Sequence, residues 1–268
     1  VVGDSGTPGP TASSVRDAFT EWAGSHGPDL WLMLGDNAYS SGTDSEYQSA
    51  VFDPFQARLR SCPLWPTRGN HDILHNGANN DYYDIFTMPS TAEAGGTVSG
   101  TEAYYSFNWS NIHFVCLDSQ GSDRSPGGAM MTWLAADLSA NSHPWVIAYW
   151  HHPPYSKGSH DSDSEGALIE MRQYALPILE AGGVDLVLCG HSHAYERSFL
   201  IDGHYGVSTT LTPDMIVNGG DGRPGGDGAY LKPVDSPFPH AGAVYAVAGS
   251  AAQTSWGPLN HPVMVTSL

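Results

Sequence analysis

Positive charge is scarce in this sequence: ten Lys and Arg stand against 28 Asp and Glu in 268 residues, a formal charge of −18. A surface of that sign repels polyanions, so no nucleic-acid partner and no adhesion to anionic lipid are expected. Long hydrophobic runs are missing as well. No apolar stretch approaches the roughly 20 residues that span a bilayer, so no membrane insertion is expected. Cysteine is rare, with Cys62, Cys116 and Cys189 forming no CxxC pair. Cys116 and Cys189 sit in apolar runs and read as small buried hydrophobes, indifferent to the redox compartment.

What is present is the composition of an ordinary globular protein, 40% hydrophobic and 11% aromatic,. Strand-like apolar runs alternate with amphipathic helical patterns, which predicts an α/β fold. Helix is expected over residues 11–23, 45–59, 128–140 and 165–181, the last with a kink at Pro177. Strand is expected over 30–34, 64–68, 145–150, 184–189 and 243–248, with Val1-Val2 as the tail of another and a late one near 263–265. Residues 103–109 and 112–117 read as a hairpin around Ser110-Asn111. The glycine-rich stretch 219–228 leads into no helix start, so it reads as a surface loop rather than a phosphate cradle. The chain reads as a single domain over residues 1–268, with abrupt ends compatible with a longer parent protein.

Five strand ends share one design: an apolar run, a glycine or sharp turn, then side chains able to bind metal. They are Gly3-Asp4-Ser5-Gly6, Gly35-Asp36-Asn37-Ala38-Tyr39, Gly69-Asn70-His71-Asp72, His151-His152-Pro153 and Gly190-His191-Ser192-His193. Taken singly, each has a plainer reading as a turn, a helix cap, a surface histidine or a half-buried aromatic. Recurrence of all five at one structural position is what carries weight, because ligands of open α/β sheets gather at the carboxyl ends of the strands. Carboxylates, imidazoles, an amide and a phenol without thiolate suit iron, zinc or manganese. Seven such side chains exceed one ion's needs, whereas two ions sharing one carboxylate would each have four protein contacts.

In these five blocks, spanning Asp4 to His193, the chain resembles the calcineurin-like metallophosphoesterase superfamily, and within it the purple acid phosphatases. Many members of the superfamily begin with D-x-H; here that histidine position is Gly6, and Tyr39 can restore the missing ligand. The resemblance implies two central mixed β-sheets in a sandwich flanked by helices. It implies a first metal site of Asp4, Asp36, Tyr39 and His193 holding Fe(III). The second site would be Asp36, Asn70, His151 and His191, holding a divalent ion (Zn, Fe or Mn), with Asp36 bridging.

The implied activity is hydrolysis of small phosphate monoesters by attack of a metal-bound hydroxide. A phosphodiesterase or nucleotidase on the same centre is the alternative, and a non-catalytic metal- or phosphate-binding module a more distant one. His71 matches the family histidine that contacts phosphate and protonates the leaving group, with Asp72 expected to orient it. His160 lies where related plant enzymes carry substrate-facing histidines, although the loop around it differs, and His152 is a further substrate-binding candidate. His26, His75, His113, His143, His204, His240 and His261 have no motif context and read as structural or surface residues. Family and acidity together imply a secreted or periplasmic protein.

Overall fold

The structure is a computed structural model and describes residues 1–77, 81–232 and 241–268. Helix α1 (Pro10–Ala23) starts on a proline, whose missing N–H costs nothing in a first turn, and stops at Gly24,. Strand β1 (Trp31–Leu34) is buried at every residue, as its unbroken apolar run requires,. The helical pattern over 45–59 becomes α2 (Asp44–Tyr47), a π-helical turn (Gln48–Phe52) and α3 (Asp53–Leu59). Strand β2 (Leu64–Thr67) pairs parallel with β1, and Val2 bridges Met33 on the other side.

The chain continues through the short α4 (Asp81–Ile85), the hairpin β3 (Tyr105–Trp109) and β4 (Ile112–Cys116), then α5 (Ala129–Ala140) and β5 (Trp145–Tyr149). The pattern over 165–181 again divides, into α6 (Gly166–Glu170), a π turn (Met171–Ala175) and α7 (Leu176–Ala181). Strands β6 (Leu186–Cys189), β7 (Tyr195–Ser198), β8 (Leu200–Ile201), β9 (Ile216–Asn218), β10 (Val244–Ala248) and β11 (Met264–Ser267) follow. Strands β7, β8 and β9 and helix α4 were not expected from the sequence; three of the four have at most four residues, too few for a period to register.

A seven-stranded mixed sheet runs β11-β7-β10-β6-β5-β4-β3, parallel from β4 through β10 and antiparallel at both flanks. Its residues alternate between two cores. Phe114, Cys116, Tyr149 and Leu188 face β1 and the α2–α3 segment, with Leu32, Leu34, Tyr47 and Val51 in the same core. Val115, Ala148, Val187 and Cys189 face α5 and α7, joining Leu134, Leu138, Leu176 and Leu179. Burial on both faces explains why these strands read as continuous apolar runs rather than alternating ones. The second sheet is small and wholly parallel, β1 and β2 extended by the Val2 bridge.

All three cysteines are buried and free, as small hydrophobes should be. Of the context-free histidines, His113, His204 and His261 are buried, and His240 lies outside the described residues. Among the described residues no helix is long and apolar enough to cross a membrane.

Candidate metal centre

The parallel strands bring their carboxyl ends to one place, and backbone bonds between the emerging loops lock them together. Gly3 N–H donates to the Ala248 carbonyl (3.0 Å), Asp4 N–H to Gly35 (3.1 Å) and Gly190 N–H to His151 (3.0 Å). Glycine is required where the loops touch the expected ligands themselves. A Cβ on Gly69 would stand 2.1 Å from Asp36 Oδ1, and one on Gly190 2.5 Å from Asp4 Oδ2. Asp4, Asp36 and His191 all adopt left-handed backbone conformations, at φ 56°, 51° and 66°. Each costs about 1–3 kcal/mol in a non-glycine residue and persists only where the surroundings enforce it.

Each carboxylate is anchored through one oxygen and presents the other. Asp4 Oδ2 accepts the His191 N–H at 2.8 Å, and Asp36 Oδ1 accepts the His71 N–H at 2.8 Å. The free oxygens meet the phenol: Tyr39 Oη lies 2.9 Å from Asp36 Oδ2, 3.3 Å from Asp4 Oδ1 and 3.3 Å from His193 Nε2. His193 Nε2 in turn lies 3.5 Å from Asp4 Oδ1. Beside this group, His151 Nε2 stands 3.1 Å from Asn70 Oδ1, 3.1 Å from His191 Nδ1 and 3.5 Å from Asp36 Oδ2. The seven expected ligands thus fall into two quartets that share Asp36 Oδ2.

The donor set fits two cations. His151 Nδ1 donates to the Leu34 carbonyl (2.8 Å), which leaves Nε2 with its lone pair toward the cluster,. His191 Nε2 faces Glu165 Oε2 at 3.5 Å, which likewise turns Nδ1 inward. So many buried acceptors in one place favour protonation. Burial, helped by the Asp36 charge, raises Asp4, and burial with the Asp4 and Asp36 charges pushes the Tyr39 phenol far above its usual range. Burial opposes a charge on His151, but Asp36 and then Asp4 overcome it and lift His151 to about 9. Cations in the two quartets would replace those protons, because metal ligands must be deprotonated.

Around the quartets, His71 packs its ring on Tyr39 with centroids 4.4 Å apart, and its Nδ1 lies 2.8 Å from the Ser40 carbonyl. Here Asp72 departs from expectation. It is fully buried, accepts from Asn37 N (2.9 Å), Asn37 Nδ2 (3.1 Å), Tyr47 Oη (2.7 Å) and Gly69 N (2.7 Å), and ties the β1 and β2 loops together. The group that orients His71 is the Ser40 carbonyl. His160 stacks on His191 at 3.7 Å and pairs its Nδ1 with Glu165 Oε2 at 2.9 Å. His152 is only 5% exposed, lies with its ring against those of His151 and His191, and bonds Ser119 Oγ through Nδ1 at 2.9 Å. That packs it against the rings of His151 and His191, buried rather than exposed.

Sequence reasoning missed three contributors. Glu165 braces both His160 and His191, while Ser255 and Gln253 hold His193 at Nδ1 (3.2 Å) and Nε2 (3.2 Å). Glu165 left one signal, a carboxylate five residues after His160 at a helix start. The other two left none, since 60 residues separate Gln253 from its partner.

Residues 1–195 match the family described as calcineurin-like phosphoesterase. A probable purple acid phosphatase of Arabidopsis thaliana is 32% identical over 210 residues, covering 74% of this chain and 45% of the relative. The chain therefore spans less than half the length of that relative. In fold it is similar to a purple acid phosphatase from yellow lupin seeds, with a TM-score of 0.63 at 16% identity over 100% of this chain and 46% of that one. It is equally similar to a Plasmodium protein described as the anchor in the inner membrane complex, with a TM-score of 0.63 at 15% identity over 99% of this chain and 76% of that one. With the family model matched over residues 1–195, most of its length, the chain belongs to the calcineurin-like phosphoesterase family.

Proposed function

We propose that the protein is a binuclear-metal phosphatase acting on small phosphate monoesters. The observation that carries this reading is Asp36 Oδ2, which lies within reach of both Tyr39 Oη (2.9 Å) and His151 Nε2 (3.5 Å) and so can bridge two ions. Asp4, Asp36, Tyr39 and His193 would hold Fe(III). Asp36, Asn70, His151 and His191 would hold a divalent ion, Zn, Fe or Mn. When bound, the two ions supply Lewis acidity toward the phosphoryl group and acidify water.

The chain's own residues do the rest. His71 donates through Nδ1 to Ser40, so Nε2 is the nitrogen free to bind phosphate and pass a proton to the leaving oxygen,. His160, with a third of its side chain exposed, contributes a second contact to substrate. His152 acts by packing the ligand histidines in place. The presence of every expected ligand together with His71 argues against a non-catalytic binding role. We further propose, from family likeness and acidity, that the protein works outside the cytoplasm, secreted or periplasmic.

Metal analysis and the visible spectrum of the purified protein test the centre. Two ions per chain, one of them iron, and a visible band that Tyr39→Phe abolishes are expected. A colourless protein with two zinc ions would overturn the iron assignment. Hydrolysis of p-nitrophenyl phosphate should exceed that of the bis ester; the reverse would make the protein a diesterase.

A further inference from the structure

The proposed chemistry leaves one buried polar cluster unused. Ser156, Ser192 and Glu196 are all completely buried. Glu196 belongs to β7; its Oε2 accepts the Ser156 hydroxyl at 2.5 Å and its Oε1 the Lys157 N–H at 3.2 Å. Ser156 Oγ also lies 2.8 Å from Ser192 Oγ and accepts the Gly158 N–H at 3.1 Å. One hydroxyl has one proton. With Ser156 donating to the carboxylate, Ser192 must donate to Ser156, which gives a directed chain from Ser192 through Ser156 to Glu196. No ion pair to Glu196 is found among the described residues, and the Lys157 ammonium is committed to Asp161 (2.5 Å) and Asp163 (2.9 Å). A buried carboxylate without a cation is costly unless its hydrogen bonds are all in place, so this cluster is sensitive to any lost donor.

What the cluster holds is the segment that carries His160. Ser159 Oγ accepts the His193 N–H at 2.9 Å, and the His160 ring stacks on His191 at 3.7 Å. The segment lies so close to the His191–His193 turn that a Cβ on Gly158 would meet Ser192 Oγ at 2.3 Å. On its other side a Cβ on Gly257 would meet the Gly158 carbonyl at 1.6 Å. Residues 156–160 are therefore clamped between the metal-binding turn and the chain near Gly257, with Glu196 as the polar anchor.

We propose that Glu196 is a positioning residue: acting through Ser156, it fixes residues 156–160 on the His191–His193 turn and so keeps His160 stacked over His191. Only the kinetic consequence rests on the reading of His160 as a substrate contact; the placement of the ring does not. Stacking on His191 shifts the ring protons of His160, and NMR of the metal-loaded protein should show that shift lost in Glu196→Gln.

Ser156→Ala removes the link while leaving Glu196 in place. It carries the test by itself if Glu196→Gln fails to fold. In both variants kcat/KM should fall about tenfold, mainly through KM, a modest loss for a misplaced binding group. The double variant of Glu196→Gln with His160→Ala should be no worse than His160→Ala alone. Unchanged His160 resonances in the folded variants, or losses that multiply in the double variant, would overturn the proposal. If His160→Ala keeps full activity while Glu196→Gln still releases the ring, the substrate role of His160 fails and the positioning role stands.

Discussion

His71 shows how one side chain is made ready by its neighbours. The Ser40 carbonyl takes one ring nitrogen, the Tyr39 ring supports one face, and its backbone N–H binds Asp36. Its side chain is not among the expected ligands, so His71→Ala should lower kcat by about 10²–10⁴-fold, the range for a general acid. Metal content measured on the same sample should be unchanged. Loss of an ion would reassign His71 to the centre itself. The expected ligands were legible because each follows an apolar run within a few residues. The partner of His71 was not, because a backbone carbonyl 31 residues away leaves no trace in residue type. Asp72 misled for the same reason: adjacency in sequence suggested a pairing that the turn geometry sends elsewhere.

Elements connect the centre to the scaffold. Both long helical patterns contain a π turn, and each π turn is followed by a proline near the start of the next α segment, Pro54 in α3 and Pro177 in α7. A proline within a helix lacks a donor and crowds the carbonyl four residues back; widening the preceding turn relieves both. The expected kink at Pro177 is thus a local change of helical pitch.

Helix α2 has a second role. Thr43 and Glu46 form a capping box, and Glu46 also accepts the N–H groups of Ser40 (2.6 Å) and Ser41 (3.1 Å), steadying the loop that orients His71. Burial raises Glu46, but the N–H donors of Thr43, Ser41 and Ser40 outweigh it and hold the carboxyl below its ordinary range. A depressed pKa gives stability that is present above the unfolded value and lost as pH falls through the folded one. Glu46→Ala should cost up to about 1 kcal/mol at neutral pH, the scale of a lost helix cap discounted for the exposure of the group to solvent. The gap to the parent protein, measured by denaturant melts, should narrow as pH falls below the ordinary glutamate range and through the depressed folded-state pKa. A gap that stays constant with pH would show that the cap acts through packing alone.

For the whole molecule, the dominant fact is a formal charge of −18 around a site proposed to take an anion. Bound ions can reverse the sign locally, yet approach is still governed by the surrounding charge. Raising salt from about 10 to about 150 mM shortens the Debye length from roughly 30 to 8 Å, so kcat/KM for a monoester dianion should rise about two- to fivefold. A fall over that range would mean that the ions' own field already dominates encounter.

The sequence by itself determined the α/β class and the two-faced strands and singled out the seven expected ligand positions, because strand ends, glycines and ligand types are local features. Only the tertiary structure decided which carboxylate oxygen points inward, which nitrogen of His151 is free, and that Glu165, Ser255, Gln253 and Glu196 brace the centre. Those choices depend on contacts between loops brought together by a seven-stranded sheet, and chain distance carries no information about them.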